Sequence, residues 1–126
     1  MKRFWFAAGL LAAMLALSLW NAAYIQKLAD SITQQLELSQ TMAARGAWEQ
    51  AARITGQCQQ EWEDNHAYLH IVSRHADTDE ILLSFRELEQ YLNLEEMDQY
   101  AAENLSLITR IGLLAEMEQP DWLNVL

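Results

Sequence analysis

The chain has 126 residues and a formal net charge of -10, from 18 acidic side chains against 8 lysines and arginines. After an apolar leader is set aside, this length leaves one small domain. The negative field repels nucleic acid, which excludes it as a partner. Cys58 is the only cysteine, so an intramolecular disulfide is excluded and packing alone must stabilise the fold.

The first predicted element is a membrane helix over residues 4–24. This stretch carries no charge, and it supplies the roughly 20 apolar residues that a bilayer core of about 30 Å requires. Trp5, Trp20 and Tyr24 place aromatic rings near its two ends, where such rings favour the headgroup zone. We therefore predict that residues 4–24 bind the lipid bilayer and that residues 1–24 form an N-terminal anchor.

The residues before this helix predict its orientation. Lys2 and Arg3 put positive charge at the N-terminus, and positively charged flanks tend to stay in the cytoplasm. The sequence thus predicts a single-pass protein of the cell membrane, with its N-terminus cytoplasmic and its C-terminal domain extracytoplasmic.

A cleaved secretory signal is the alternative interpretation of this stretch, because it too begins with basic residues and an apolar run. Cleavage after Ser18 places Ala16 where a small residue is preferred. Cleavage after Ala23 places Asn21 at that position, which disfavours it. We favour a retained anchor and keep cleavage as the alternative.

Beyond the anchor, the hydrophobic spacing is helical nearly throughout, and the chain has only four glycines and one proline. We predict an all-α domain over residues 25–119 and an apolar C-terminal tail over residues 120–126. The membrane helix should continue to a turn at Gly46, where glycine can take a left-handed conformation. Three further helices are expected at about residues 47–74, from about 77 to 93, and 95–117.

The turn at Gly46 and the residues after it resemble a tetratricopeptide hairpin. In that motif a glycine turns the chain, an aromatic such as Trp48 fills the groove and a small residue such as Ala51 admits the facing helix. A weaker second copy of this pattern begins at Met97, about 50 residues later, which is too far for a regular repeat. The prediction is therefore an antiparallel helical-hairpin bundle with tetratricopeptide-like helix pairs. The residues assigned structural roles are Gly46, Trp48, Ala51, Trp62, His66 and His75.

A metal site is the main alternative for a functional group. Glu63 and His66 have a Glu-x-x-His spacing, and His66 and His70 would share one face of a continuous helix. The second motif that a di-iron bundle requires is missing. Structural roles are therefore favoured, such as interhelical hydrogen bonds for His66 and a helix-end cap for His75.

No motif for catalysis or phosphate binding occurs in the sequence, so we predict neither an enzyme nor a cofactor. The apolar tail needs a covering surface. Its candidate partner-contact residues are Trp122, Asn124, Val125 and Leu126.

Several short stretches together carry a family resemblance: Trp48, Trp62-x-x-x-His66-Ala-Tyr-Leu, Ser73-Arg74-His75 and Leu123-Asn124-Val125-Leu126. On these residues the chain resembles an uncharacterised family of short, N-terminally anchored bacterial membrane proteins, the domain of unknown function DUF4363. The resemblance implies a single-pass membrane protein, imports no catalytic residues and favours a membrane partner.

The functional hypothesis is a membrane-anchored helical interaction module. It would act as an accessory or scaffold for another membrane or envelope protein, with a membrane-protein partner or further copies of itself. A metal-binding or metal-sensing extracytoplasmic domain is the alternative.

Overall fold

The computed structural model of the protein describes residues 1–72 and 75–117. These residues form five α-helices and contain no strand, which confirms the all-α prediction. The helices are α1 (Lys2–Ala44), α2 (Trp48–Asp64), α3 (His66–Val72), α4 (His75–Asn93) and α5 (Met97–Met117).

Helix α1 has two halves with different surroundings. Residues 1–20 are all exposed, and we call residues 4–20 the exposed apolar segment. From Ala22 onward the helix buries one face, with the spacing of three or four residues that places side chains on one side of a helix. The buried residues of this second half are Ala22, Ile25, Leu28, Ala29, Ile32, Leu36, Ser39 and Ala43.

Helix α1 ends in the predicted glycine turn. Gly46 has a φ of 81°, its N–H donates to Ala43 O at 2.9 Å, and the Ala47 N–H donates to Met42 O at 2.9 Å. This pair of bonds is a Schellman motif, which satisfies carbonyls that the helix leaves without a partner. The chain therefore reverses within three residues, and α2 packs back along α1.

The turn between α4 and α5 has the same hydrogen bonds without a glycine. The Glu95 N–H donates to Leu92 O at 3.2 Å and the Glu96 N–H donates to Tyr91 O at 3.0 Å. Glu95 has a φ of 54°, in the left-handed region that favours glycine. The turn between α4 and α5 thus carries backbone strain at Glu95 that the glycine turn at Gly46 avoids.

The prediction of one helix over residues 47–74 is wrong, because the helix is interrupted at Asn65. This residue has φ -102° and ψ 1°, and its backbone N–H bonds to Trp62 O at 3.1 Å. Its side-chain Nδ2 also donates to Glu61 O at 2.8 Å. Asparagine side chains compete in this way for backbone groups, so α2 ends here and α3 begins as a separate short helix.

The four long helices form an antiparallel bundle. Helix α1 packs against α2 and α5, and α4 packs against the same two helices. The hairpins α1/α2 and α4/α5 are the predicted helix pairs. Ser39 of α1 contacts Thr55 of α2 and Tyr100 of α5, whereas Tyr24 of α1 contacts Asn65. The ends of α2 and α5 therefore lie at the end of the bundle nearest the exposed apolar segment, which we call the segment-proximal end.

The core between these helices is apolar with few polar groups. Its largest fully buried side chains include Trp62, Phe85 and Tyr100. Cys58 is also buried, and burial, with a smaller effect of the Glu61 carboxylate, raises the pKa of its thiol to about 12. The thiol therefore stays protonated at neutral pH, and a protonated, buried thiol is a poor nucleophile.

Candidate functional site

An aromatic cluster lies where the exposed apolar segment meets the bundle. Trp20 stacks on Tyr24 with ring centroids 5.7 Å apart and an interplanar angle of 20°. Tyr24 meets Tyr68 of α3 edge to face, at 5.2 Å and 78°. Both geometries are favourable for aromatic pairs. The aromatic cluster, Trp20, Tyr24 and Tyr68, therefore joins the end of the segment to α3.

The helix break at Asn65 is part of the same junction. The Tyr24 hydroxyl donates to Asn65 Oδ1, while the Asn65 amide donates to Glu61 O. The Glu61 carboxylate in turn accepts from Gln35 Nε2 at 2.9 Å and from Ser31 Oγ at 3.3 Å. These bonds fix α2 and the start of α3 against α1.

An open, mainly apolar groove of about 370 Å³ lies beside the aromatic cluster. The Asn21 Oδ1 atom is buried and has no hydrogen-bond partner among the described residues. Tyr68 brings α3 to the wall of this groove, which we call the junction groove. Its lining residues are Met14, Leu17, Ser18, Trp20, Asn21 and Tyr68.

A cluster of hydroxyl groups lies in the part of the bundle core that is distant from the exposed apolar segment. Ser39 Oγ lies 2.9 Å from Ala51 O, 2.8 Å from Thr55 Oγ1 and 2.7 Å from the Tyr100 hydroxyl. Because a hydroxyl carries one proton, Ser39 satisfies all three contacts when it donates to Ala51 and accepts from Thr55 and Tyr100. Burial raises the pKa of the Tyr100 phenol, against the lowering effect of its hydroxyl hydrogen bonds. The phenol is thus a protonated donor at neutral pH.

A double-mutant cycle measures the coupling within this hydroxyl cluster. We expect Ser39→Ala to lower the free energy of unfolding by about 1–3 kcal/mol, because it removes the acceptor of two buried hydroxyls. With Tyr100→Phe already present, the same change should cost at least about 0.5 kcal/mol less. Thr41→Ala removes an exposed hydroxyl that donates to Glu37 O and should change stability by less than about 0.5 kcal/mol. Additive effects of Ser39 and Tyr100 in urea denaturation would contradict the shared network.

A second buried polar contact links α5 to α1. Asn104 Nδ2 donates to Leu36 O at 3.1 Å and to Gln40 Oε1 at 2.9 Å. Together with Ser39 and Tyr100, this amide fixes the register of α5 against α1. Neither contact was foreseen from the sequence, because the paired residues are 61 to 68 positions apart along the chain.

The three proposed metal ligands are divided between two helices, because Glu63 lies in α2 whereas His66 and His70 both lie in α3. Glu63 is exposed near the end of α2 and accepts from Gln59 Nε2 at 3.2 Å, whereas His66 is half-buried at the start of α3. Within the described part of the chain, no group of three or more histidine, cysteine or acidic side chains could hold a metal ion. The His70 side chain lies outside that part. Metal binding stays the untested alternative, to be checked by metal analysis of the purified protein and of His66→Ala.

The residues assigned structural roles lie on different elements of the bundle. Gly46 forms the first turn, Ala51 and Trp62 are fully buried on α2, and Trp48 is half-buried. The Trp48 and Tyr100 rings meet edge to face, with centroids 6.4 Å apart. The predicted cap by the His75 side chain lies outside the described side chains.

The predicted partner-contact residues, Trp122, Asn124, Val125 and Leu126, also lie outside the described residues. The last described helix, α5, ends at Met117 at the segment-proximal end. Within the described residues, Leu113 and Met117 of α5 are exposed apolar side chains near this end.

The family model described as a domain of unknown function (DUF4363) matches residues 19–125. The match begins at the end of the exposed apolar segment and includes the second half of α1 and the whole of α2, α3, α4 and α5. No curated protein and no solved structure matches the chain.

Proposed function

This chain belongs to the DUF4363 family, and because that family has no known function, we propose one from the structure. The protein is a single-pass membrane protein whose helical bundle is an interaction module. It serves as an accessory or scaffold for another membrane or envelope protein.

The exposed apolar segment carries this proposal. Helix α1 is long and apolar enough to cross a membrane. Of the apolar stretch of 18 residues that would span it, 6% is buried against the rest of the protein. A helix in the core of a soluble protein would bury most of such a stretch. Exposing this much apolar surface to water is unfavourable by about 25 cal/mol per Å². A bilayer removes that penalty.

The continuity of α1 supports a retained anchor rather than a cleaved signal. The helix runs without interruption from Lys2 to Ala44. Trp20 and Tyr24, near the end of the segment, contact each other and, through Tyr24, the bundle. The segment is therefore a rigid extension of the bundle. Lys2 and Arg3 favour a cytoplasmic N-terminus, which leaves the acidic bundle on the extracytoplasmic side.

Membrane extraction tests the anchor. We expect the native protein to remain in the membrane pellet after alkaline carbonate washing and to have the intact mass of the full chain, 14.5 kDa. Release into the supernatant, or a mass that lacks residues 1–18 as expected from cleavage after Ser18, would contradict a retained anchor.

The composition of the core and the surface of the bundle are compatible with the proposed interaction role. Its described core is filled by packed apolar side chains and hydrogen-bonded hydroxyls, and its cysteine is protonated and buried. Its surface retains large exposed apolar side chains, among them Leu83, Leu105 and Leu113. Single exposed apolar side chains are common on monomeric proteins, so these residues permit a partner contact without locating it.

The tail deletion tests the predicted partner contact. We expect removal of residues 121–126 to reduce co-purification of the partner from detergent-extracted membranes at least about tenfold, a loss of about 1.4 kcal/mol. Far-UV circular dichroism should retain the helical content of the full chain. A chain shortened by residues 125–126 alone provides a graded control. Loss of helicity in the deletion would show instead that the tail belongs to the core.

A further inference from the structure

Helix α3 packs against α2 and α4 and also contacts α1 through Tyr68. Tyr68 contacts Tyr24 edge to face and lines the junction groove together with Met14 and Leu17. Asn65, which lies between the last residue of α2 and the first residue of α3, is hydrogen-bonded to Tyr24. Helix α3 therefore lies at the segment-proximal end, beside the last turns of the exposed apolar segment.

This short helix has one apolar side chain in the core and one fully outside it. Leu69 is buried, whereas Ile71 is 84% exposed. Ile71 is the most exposed large apolar side chain among the described residues of the bundle. It follows Tyr68 by three residues, or about 4.5 Å along the helix axis. Nothing in the described part of the bundle covers it.

The membrane anchor sets the depth of α3. If the exposed apolar segment fills the bilayer core, Trp20 and Tyr24 lie at its boundary, where amphipathic aromatic rings are favoured. Tyr68 contacts Tyr24, so it must lie at the same depth. The junction groove reaches further along the segment, to Met14. With the anchor in the bilayer as proposed, the lipid surface lies at the level of α3.

We propose that α3 is an interfacial helix that rests on the bilayer leaflet nearest the bundle. Ile71 inserts among the lipid acyl chains, and an acyl chain occupies the junction groove between Leu17 and Tyr68. This inference rests on the proposed membrane anchor and adds a second, peripheral contact with the same bilayer. It fixes the orientation of the bundle on the membrane and hence the surface that a partner can reach.

The charges around α3 define the lipid that suits it. Glu63 and Asp64 are exposed at the end of α2, directly before the break. They repel an anionic surface, and Lys27, which lies near Tyr24 and Asn65, is a single opposing charge. The proposed contact therefore rests on apolar insertion of Ile71, which does not require an anionic lipid. Zwitterionic phosphatidylcholine is the appropriate lipid for a test.

The experiment places an environment-sensitive fluorophore at single introduced cysteines in the full chain, reconstituted into phosphatidylcholine vesicles. Bromine atoms on the acyl chains quench a fluorophore that lies among them. The variants are Ile71→Cys, Leu94→Cys at the opposite end of the bundle and Leu11→Cys in the segment. Leu94 and Leu11 are 57% and 70% exposed, so all three positions accept a label. Native Cys58 is buried, and the unsubstituted chain measures its background labelling.

We expect the label at position 71 to be quenched at least about threefold more than the label at position 94, with position 11 quenched most. If the label at position 11 is quenched but the label at position 71 is quenched no more than the label at position 94, the interfacial role of α3 is overturned and the anchor is retained. No quenching at position 11 would overturn the anchor and the inference together. Circular dichroism of each labelled variant confirms that the bundle is folded.

Discussion

Trp62→Ala is expected to lower the free energy of unfolding by about 3–5 kcal/mol, the range for deleting a large buried aromatic side chain. Trp62 is 1% exposed and belongs to the core to which all five helices contribute. Small domains are stable by only about 5–15 kcal/mol. The variant should therefore be close to unfolded at physiological temperature.

Urea denaturation of the full chain in a mild detergent, followed by circular dichroism, measures this loss. Trp5→Ala is the matched control, because it makes the same substitution at a side chain that is 72% exposed in the apolar segment. The control should leave the denaturation midpoint of the bundle unchanged. A loss below about 1 kcal/mol for Trp62→Ala would contradict a core packed around this indole.

Removal of residues 2–19 is expected to transfer the protein from the membrane to the soluble fraction almost completely. An inserted apolar helix holds a protein in the membrane in an effectively irreversible way. Residues 1–20 are exposed and contribute nothing to the buried core, so the shortened chain should still fold. Trp20 remains in place to stack on Tyr24.

Fractionation of cells that produce the two chains measures this transfer, and thermal unfolding of the shortened chain checks the fold. A control that replaces residues 2–19 by an apolar helix of equal length and unrelated sequence should return the protein to the membrane. The contact proposed for α3 should be too weak to hold the shortened chain, because even a single acyl chain gives only marginal membrane binding. If the shortened chain stays in the membrane pellet while folded, the bundle has a strong membrane attachment that does not depend on the segment. That result would contradict the assigned role of residues 4–20.

The sequence was sufficient to predict the helices whose signals are local. A charge-free run of membrane-spanning length, the spacing of buried residues from Ala22 to Ala43 and the glycine at position 46 each specify structure within a few residues. The α1 helix and the first hairpin therefore follow from the sequence. The antiparallel pairing follows as well, because short turns bring consecutive helices together.

The features that were not predicted depend on contacts between distant residues. Asn65 lies within a helical pattern, and its role as a break becomes visible only through its bonds to Tyr24 and Glu61. Asparagine's competition for backbone hydrogen bonds was the available signal. The contact of Ser39 with Tyr100 joins residues 61 positions apart. No local pattern specifies such a pair, so the hydroxyl cluster and the position of α3 required the folded chain.

Affinity purification of the full-length protein from detergent-extracted native membranes tests the central claim most directly. The purification is then repeated with the tag on the captured protein instead of on this chain. We predict one membrane protein, or further copies of this chain, in a fixed ratio to the tagged protein. A tag on the captured protein should recover this chain in the same ratio, and the chain lacking residues 121–126 should recover much less. A folded, anchored protein that purifies alone as a monomer would contradict the interaction module. Stoichiometric metal in that monomer, lost in His66→Ala, would favour the metal-binding alternative instead.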